Sequence, residues 1–229
     1  MSERFLARLR ELCGLDSPTH DRAGVDACAR LLAGWCDDAG LATELVETPA
    51  GLSLVARLER PGQPRTLLVG HHDTVFARGT AAARPLRVDR DRALGPGVAD
   101  MKGGVLVGLA ALEQLAASDA ACGTVELHCV PDEEGRDVAP FTLERWRGAD
   151  ACITLECGRA SGAIVSARKA GGWITFAANG RAAHSGTSWS EGRSALRAIA
   201  IEALRIEREL HGARPEMSCV ITELHAGVG

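Results

Sequence analysis

The sequence predicts an α/β fold, in which a mainly parallel, mixed sheet has helices on both faces and a smaller, partial α+β domain follows. Strands alternate with amphipathic helices over residues 1–170, and this alternation is typical of a layered α/β sheet. Polar residues cluster directly after several strands, where sheets of this class carry their sites. After Gly171 and Gly172 the pattern changes. We therefore predict two domains, over residues 1–170 and 171–229.

Two amphipathic helices open the chain. Apolar residues recur at helical spacing over Phe5–Leu12 and over Val25–Trp35, and the two patterns stop at Gly14 and Gly40. Apolar runs bounded by turn residues predict the other elements of the first domain. They are strands over residues 52–58, 66–70, 86–88, 92–94, 124–130 and 151–155, and helices at about 102–117 and 141–146.

The second domain is predicted from three segments. They are a strand over Trp173–Ala178, a helix from about Arg193 to Leu210 and a strand over Met217–His225. Two strands and one helix are too few to close a stable layer, so we predict an incomplete domain. Apolar residues of the helix would stay uncovered, which predicts self-association or local disorder.

The composition excludes several classes of function. The chain has 26 Lys and Arg against 30 Asp and Glu, and its 3% aromatic residues include no Tyr, so we expect no nucleic-acid partner. Charges interrupt the N-terminal apolar positions, and no apolar run approaches the roughly 18 residues that span a bilayer, so we expect a cytoplasmic protein without a membrane partner. The eight Cys form no C-x-x-C pair, and we expect reduced core thiols.

Three strand ends and one loop carry acidic or imidazole groups. They are GHHDTV at 70–75, PDEEG at 131–135, TLEC at 154–157 and the loop GPGVADMKGG at 95–104. Residues two apart in an extended chain face the same way, so His71 and Asp73 predict a carboxylate-backed imidazole ligand, with His72 facing elsewhere. Glu133 and Glu134 point in different directions, which suits one metal ligand and one general base.

These motifs predict a metal site. If Asp100, Glu133, Glu134 and Glu156 converge beside His71, their like charges require shifted pKa values or bound cations. Oxygen and imidazole ligands without thiolate suit Zn²⁺, Co²⁺ or Mn²⁺, and a carboxylate between two ions roughly 3.5 to 4 Å apart fits a two-metal hydrolase. Each motif alone is more often a structural turn or surface pair, but all of them fall at strand ends or at a helix start.

Together with GRAAHSG, the motif series resembles that of the zinc-dependent aminoacylase, acetylornithine deacetylase, succinyl-diaminopimelate desuccinylase and glutamate carboxypeptidase family. The resemblance implies a zinc-exopeptidase-like fold with two Zn²⁺ per complete site, Co²⁺ or Mn²⁺ being possible substitutes. It also implies a role for each site residue. His71 and Glu156 would bind one ion, Glu134 would bind the other, and Asp100 would bridge the two ions. Glu133 would be the general base, and Asp73 would support His71.

His184 in GRAAHSG has two interpretations. From its position alone it is a loop histidine near a helix N-terminus. The resemblance implies that it belongs to a lid domain and stabilises an oxyanion, often in the partner subunit's site. On this interpretation residues 171–229 form a partial lid through which the chain makes a homodimer.

The sequence departs from the family in two ways. Family members continue further, and a later His completes their second metal site, so the catalytic domain over 1–170 is expected to lack its C-terminal part. His20, His128 and His211 are interpreted as structural and not as substitutes for that ligand. In addition, the Glu156 motif reads ECG where many relatives have Glu-x-Pro or Glu-Pro.

The predicted function is metal-dependent hydrolysis of an amide bond next to a free carboxylate, with Glu133 activating the attacking water. The enzyme would be a carboxypeptidase or an N-acyl amino acid deacylase, acting on a small molecule or short peptide. The alternative is a truncated or inactive relative that serves as a metal-binding or assembly module. A serine hydrolase is disfavoured because G-x-S-x-G is absent, and a dinucleotide enzyme because GPGVAD ends in Asp.

Overall fold

The structure is a computed structural model that describes residues 2–62, 64–135, 140–169 and 171–225. The chain divides into two compact units, Met1–Ala163 and Ile164–Gly229. The division lies slightly before the boundary predicted from the sequence, and the last four residues of the predicted second domain lie outside the described residues. The roles of the two units as catalytic domain and lid stay predictions.

The first unit contains the predicted alternation of helices and strands. Its helices are α1 (Glu3–Cys13), α2 (Arg22–Asp38), α3 (Thr80–Ala83), α4 (Gly103–Ala116) and α5 (Pro140–Trp146). Its strands are β1 (Ala42–Thr48), β2 (Gly51–Leu58), β3 (Arg65–His71), β4 (Arg87–Asp89), β5 (Arg92–Leu94), β6 (Thr124–Val130) and β7 (Ala151–Thr154). Strand β1 was not among the strands predicted from the sequence.

Five strands form one mixed sheet in the order β1-β2-β6-β3-β7. The pairs β1/β2 and β2/β6 are antiparallel, whereas β6/β3 and β3/β7 are parallel. The predicted α/β class is therefore confirmed. The carboxyl ends of β6, β3 and β7 meet at the same edge of the sheet, because these three neighbouring strands run in one direction.

Helices contact both faces of this sheet. On one face, apolar residues of α1, α2 and α4 join the sheet in a single core that includes Leu12, Leu32, Leu109 and Leu127. On the other face, the α5 residue Trp146 donates from Nε1 to Nδ1 of His128 on β6, at 3.2 Å. Each fully buried Leu contributes roughly 1.5–3 kcal/mol to folding.

A buried lysine fixes the loop that precedes α4. Nζ of Lys102 donates to the main-chain carbonyl of Leu12, in the last turn of α1, at 3.1 Å, and to that of Leu15, just beyond the helix, at 2.7 Å. Carbonyls in the last turn of a helix lack intrahelical partners, so a cation there satisfies them and interacts favourably with the helix dipole. The contact ties the loop carrying Asp100 to the first helix.

The cysteine prediction is only partly correct. All eight thiols are free, and four of them lie in the core, namely Cys13, Cys28, Cys36 and Cys129. Cys122 and Cys219 are half-buried, and Cys152 and Cys157 are exposed. Cys152 is exposed because it belongs to β7, an edge strand whose four residues all face solvent, and Cys157 follows that strand.

The second unit contains one long helix, α6 (Ala195–Leu210), close to the predicted helix. The two strands predicted over Trp173–Ala178 and Met217–His225 are wrong, since neither stretch is a strand. An extended segment becomes a strand only when its main-chain groups pair with a neighbour. Within residues 171–225, β-type pairing outside the named strands is limited to a bridge between Arg181 and Arg193.

Among the described residues, no helix has both the length and the apolar character needed to cross a bilayer.

Candidate metal centre

Three parallel strand ends bring the predicted polar residues to one edge of the sheet. His71 ends β3, Glu133 and Glu134 follow β6, and Glu156 follows β7. The register pairs His71 with Val130, so β3 and β6 end side by side. The main-chain N–H of Leu155, just before Glu156, continues the pairing by donating to the carbonyl of Val69, at 2.8 Å. The strand ends that carry His71, Glu133 and Glu156 therefore lie at one edge of the sheet, as expected.

The imidazole of His71 lies at the centre of this group. Its Nε2 is 3.0 Å from Oδ1 of Asp100, 3.7 Å from Oε1 of Glu156 and 4.0 Å from Oε2 of Glu133. Ligand atoms of His71, Asp100 and Glu156 all lie within 4.8 Å of one another. His71 is buried, whereas Asp100 and Glu133 face solvent, so an ion could enter from the solvent side.

The chemistry of these donors fits a divalent cation. One imidazole nitrogen faces several carboxylates, which are the N and O ligands that Zn²⁺, Co²⁺ and Mn²⁺ accept. Burial lowers the pKa of His71, but the hydrogen bond to Asp73 and the charges of Asp73, Glu133 and Glu156 outweigh it and raise the pKa to about 9. Without an ion, a proton on the imidazole therefore supplies the positive charge that the carboxylates require.

Asp73 supports His71 from the protein interior, as the sequence predicts. Its Oδ1 accepts from Nδ1 of His71 at 3.1 Å, and the carboxylate is completely buried. Burial raises the pKa of Asp73, yet hydrogen bonds from His71 and Thr19 overcome that effect and hold the pKa below its usual range. An ionised Asp73 places the shared proton on Nδ1, which leaves Nε2 available as a ligand.

Glycines allow Asp100 to approach the strand ends. Gly97 has φ +70°, a left-handed conformation that favours glycine. A Cβ on Gly104, at the start of α4, would lie 1.9 Å from the carbonyl oxygen of Leu155. Only glycine fits there, so the start of α4 lies against the end of β7. The loop carrying Asp100 is thereby held beside Glu156.

Glu133 and Glu134 occupy different environments, as expected for adjacent residues. The Glu133 side chain is 51% exposed, and its carboxylate faces His71. Glu134 is half-buried, and burial together with the charge of Asp100 raises its pKa. Glu134 lies outside the three-donor group of His71, Asp100 and Glu156.

The remaining histidines have local contacts. In the second unit, Nδ1 of His184 accepts from the main-chain N–H groups of Gly186 and Thr187, at 3.1 and 3.2 Å. His128 is buried between Glu126 and Trp146, and the ring of His211 contacts the carbonyl of Cys219. His20 is exposed. These contacts agree with the structural interpretation of His128 and His211.

Several residues that support the centre could not be recognised from the sequence. Thr19 donates to Asp73 across 54 positions of sequence, and Lys102 anchors the Asp100 loop. His72 was expected only to face away from the site, yet it is completely buried, and neither ring nitrogen has a hydrogen-bond partner among the described residues. Burial lowers its pKa to about 4, so the ring is neutral. No local spacing in the sequence indicates these long-range contacts.

An imidazole and carboxylates gathered beyond parallel strands of an α/β sheet are typical of metal-dependent hydrolases. More particularly, the chain belongs to peptidase family M20/M25/M40, whose family model matches residues 67–222. The resemblance inferred from the motifs is thereby confirmed.

Two curated relatives show the range of the family. The chain is 30% identical over 198 residues to carboxypeptidase G2 of Pseudomonas sp. (strain RS-16), covering 82% of this chain and 47% of that protein. It is 38% identical over 157 residues to succinyl-diaminopimelate desuccinylase of Xanthomonas oryzae pv. oryzae (strain MAFF 311018), covering 64% of this chain and 41% of that protein. The chain therefore spans less than half the length of these relatives.

Solved structures show the same fold. A tripeptidase of Staphylococcus aureus subsp. aureus Mu50 superposes with a TM-score of 0.65 at 20% identity, covering 99% of this chain and 62% of that one. An M20 family metallo-carboxypeptidase of Sulfolobus solfataricus has a TM-score of 0.60 at 22% identity, covering 69% of this chain and 38% of that one. At these identities the likeness establishes the fold.

Proposed function

We propose that the chain functions in zinc-dependent hydrolysis of an amide bond next to a free carboxylate, as a carboxypeptidase or an N-acyl amino acid deacylase. The observation that carries this proposal is the group of His71, Asp100 and Glu156 donors, supported from behind by buried Asp73. The names of the two curated relatives, a carboxypeptidase and a desuccinylase, agree with this substrate class.

The ligands are proposed as the resemblance implies. His71 and Glu156 would hold one ion, Asp100 would bridge, and Glu134 would hold a second ion. When bound, such ions polarise a carbonyl group and lower the pKa of water. Because Glu134 lies outside the three-donor group, we propose that its ion is the more weakly held.

Glu133 is the proposed general base. Its carboxylate reaches the centre from the solvent side, where a water and a substrate carbonyl would enter. In the proposed reaction Glu133 accepts a proton from the attacking water, and the water oxygen bonds to the carbonyl carbon. The C–N bond then breaks, and the leaving nitrogen takes the proton from Glu133.

His184 is proposed to donate a hydrogen bond to the carbonyl oxygen as negative charge develops on it. Two main-chain N–H groups donate to Nδ1, which therefore acts as the acceptor nitrogen of the ring. The proton is then on Nε2, which makes that atom a donor suited to an oxyanion. We further propose that the partner chain's site receives this histidine in a homodimer formed through the second unit.

Exposed apolar side chains support self-association. In the second unit Trp173, Ile174 and Leu204 are 68%, 75% and 69% exposed, which is unusual for large apolar groups left in water. Sedimentation of the chain tests the homodimer, and a monomer at all concentrations would contradict it. The eight free cysteines support the proposed cytoplasmic location, because reduced thiols are typical of that compartment.

The experiment for the proposed function compares metal-loaded chain with two substrate panels. One contains N-acyl amino acids with a free carboxylate, and the other contains the corresponding amides, in which that carboxylate is blocked. We expect zinc-dependent release of the amino acid from the first panel only. Tight metal binding without any hydrolysis would instead favour the alternative of an inactive metal-binding module, and failure to bind metal would contradict both.

A further inference from the structure

The Asp73 carboxylate connects both sides of the candidate centre. Oδ1 accepts from Nδ1 of His71 at 3.1 Å and from the main-chain N–H of Glu133 at 3.2 Å. Oδ2 accepts from the main-chain N–H of Glu134 at 3.2 Å and from Oγ1 of Thr19 at 2.7 Å. A rotation of this one carboxylate would therefore move the imidazole ligand and the Glu133–Glu134 peptide together.

Main-chain hydrogen bonds fix the position of Thr19. It lies between α1 and α2, in a segment that pairs with the chain just after β3. The main-chain N–H of Thr19 donates to the carbonyl of Thr74 at 3.2 Å, and the N–H of Thr74 donates to the carbonyl of Ser17 at 2.8 Å. The hydroxyl that reaches Asp73 therefore comes from a fixed backbone position.

The two branches of the Thr19 side chain make different contacts. The hydroxyl binds Asp73, whereas the methyl group packs against the turn after β6, since a Cβ built on Gly135 would lie 2.8 Å from Cγ2 of Thr19. Valine keeps the methyl contact and loses the hydroxyl. Serine keeps the hydroxyl and loses the methyl. The residue thus offers a matched pair of substitutions that separate hydrogen bonding from packing.

We infer that Thr19 is a positioning residue of the metal centre, which acts through Asp73 to orient the His71 imidazole and the Glu133–Glu134 turn. This inference rests on the proposed function, because orientation of the imidazole matters only if the centre binds an ion. The hydrogen-bond partners behind a liganding histidine typically change metal affinity by about 10–100-fold when they are removed. Thr19 is one hydrogen bond further from the ion than Asp73, so we expect a change in metal affinity at the lower end of that range.

The test measures Co²⁺ binding to the full chain by equilibrium dialysis, together with the visible absorption of bound Co²⁺, which reports ligand geometry. The variants are Thr19→Val, Thr19→Ser and a control, Thr48→Val. Thr48 is the last residue of β1, where its buried hydroxyl donates to the carbonyl of Gly51 at 2.8 Å and accepts from the main-chain N–H groups of Ala50 and Gly51. Thr48→Val therefore loses at least as many hydrogen bonds as Thr19→Val, none of them to Asp73, and its thermal midpoint calibrates a merely structural effect.

We expect Thr19→Val to weaken Co²⁺ binding about tenfold and to change the absorption bands. Thr19→Ser should stay within about threefold of the parent, and Thr48→Val should bind Co²⁺ like the parent even if it unfolds at a lower temperature. Thr19→Val should also have no further effect on Co²⁺ affinity in an Asp73→Asn background, because the two residues act through one contact.

Three outcomes would overturn the inference and leave the proposed function intact. Thr19→Val could bind Co²⁺ with the affinity and spectrum of the parent, or its loss of affinity could persist undiminished beside Asp73→Asn. If Thr19→Val does not fold, Thr19→Ser decides, since a tenfold loss there would show that the hydroxyl is not what matters. A parent chain that binds no Co²⁺ would instead overturn the proposed function, and the inference with it.

Discussion

Nε2 of His71 lies 3.0 Å from Oδ1 of Asp100, although one residue ends a strand and the other belongs to a glycine-rich loop. Because Nδ1 of the same ring faces Asp73, one N–H cannot serve both carboxylates, and the contact with Asp100 is favourable with a positive charge between or on the two groups. A proton on the imidazole supplies that charge in the absence of an ion, and a divalent cation would supply it in the loaded protein. Metal binding and proton release at His71 are therefore expected to be linked.

The first prediction concerns the number of ions. After dialysis we expect nearer one ion than two per chain, because Glu134 lies outside the group formed by His71, Asp100 and Glu156. Glu156→Ala should remove most of the bound metal. Glu59→Ala, which changes a side chain 68% exposed and in a surface ion pair, should leave the metal content unchanged. Two tightly held ions per parent chain would contradict the prediction.

The second prediction separates the base from the ligands. Glu133→Gln keeps the size of the side chain but removes the proton acceptor, so kcat in an active form should fall by about a hundredfold or more. Metal content, measured on the same sample, should not change. Glu47→Gln is the control, because its side chain is 79% exposed on β1. If Glu133→Gln lost metal, Glu133 would have to be reassigned as a ligand.

The sequence predicts the site better than it predicts the residues around it. His71, Glu133 and Glu156 could be located because each follows a recognisable strand, and parallel neighbours end at one edge. Thr19 and Lys102 could not, since they act through contacts 54 and 87 positions away in sequence.

Two wrong predictions have their cause in what lies beside the segment in the folded chain. β7 is apolar in sequence, but its four residues are exposed at the edge of the sheet, so the pattern wrongly predicted that Cys152 is buried. Likewise, Trp173–Ala178 has the residues of a strand but does not form one. Local sequence reports the preference of a segment, and neighbouring segments decide whether that preference is realised.

The third prediction is that His72→Leu stabilises the chain. The ring of His72 is completely buried, and neither nitrogen has a partner in the described part of the chain. A buried polar group without a hydrogen bond costs about 1–3 kcal/mol, which leucine avoids. Urea unfolding in the presence of a chelator measures the gain. His128→Leu is the control and should destabilise, because that ring bonds to Glu126 and Trp146.

The fourth prediction concerns acid stability. Burial raises the pKa of Glu126, but hydrogen bonds from Arg65 and His128 and the charge of Arg57 lower it from 4.5 to about 2. Because the folded pKa lies below the unfolded one, the stabilisation is fully present above pH 4.5 and is lost as the pH falls toward 2. It amounts to about 3 kcal/mol at neutral pH.

Glu126→Gln should therefore lower the free energy of unfolding at pH 7 and flatten its dependence on pH between 4.5 and 2. Urea unfolding of both proteins across this range gives the difference curve. Glu47→Gln, at the exposed position used above, should follow the parent at every pH. Parallel curves for the parent and Glu126→Gln would show that this carboxylate has an ordinary pKa in the folded chain.

The fifth prediction concerns the thiols. Burial raises the pKa of Cys13 to about 11 and of Cys36 to about 12, so both stay protonated and enclosed at pH 8. Reaction with a thiol reagent requires the thiolate and access to it, so the exposed Cys152 and Cys157 should be modified in the native chain while the buried thiols are protected. Peptide mass spectrometry after brief labelling identifies the modified positions.

Cys157→Ser should remove one rapidly labelled thiol, whereas Cys36→Ser should remove none until the chain is unfolded. Rapid native labelling of Cys36 would show that the contact of α2 with the sheet opens readily, because that thiol lies in the core beneath the helix.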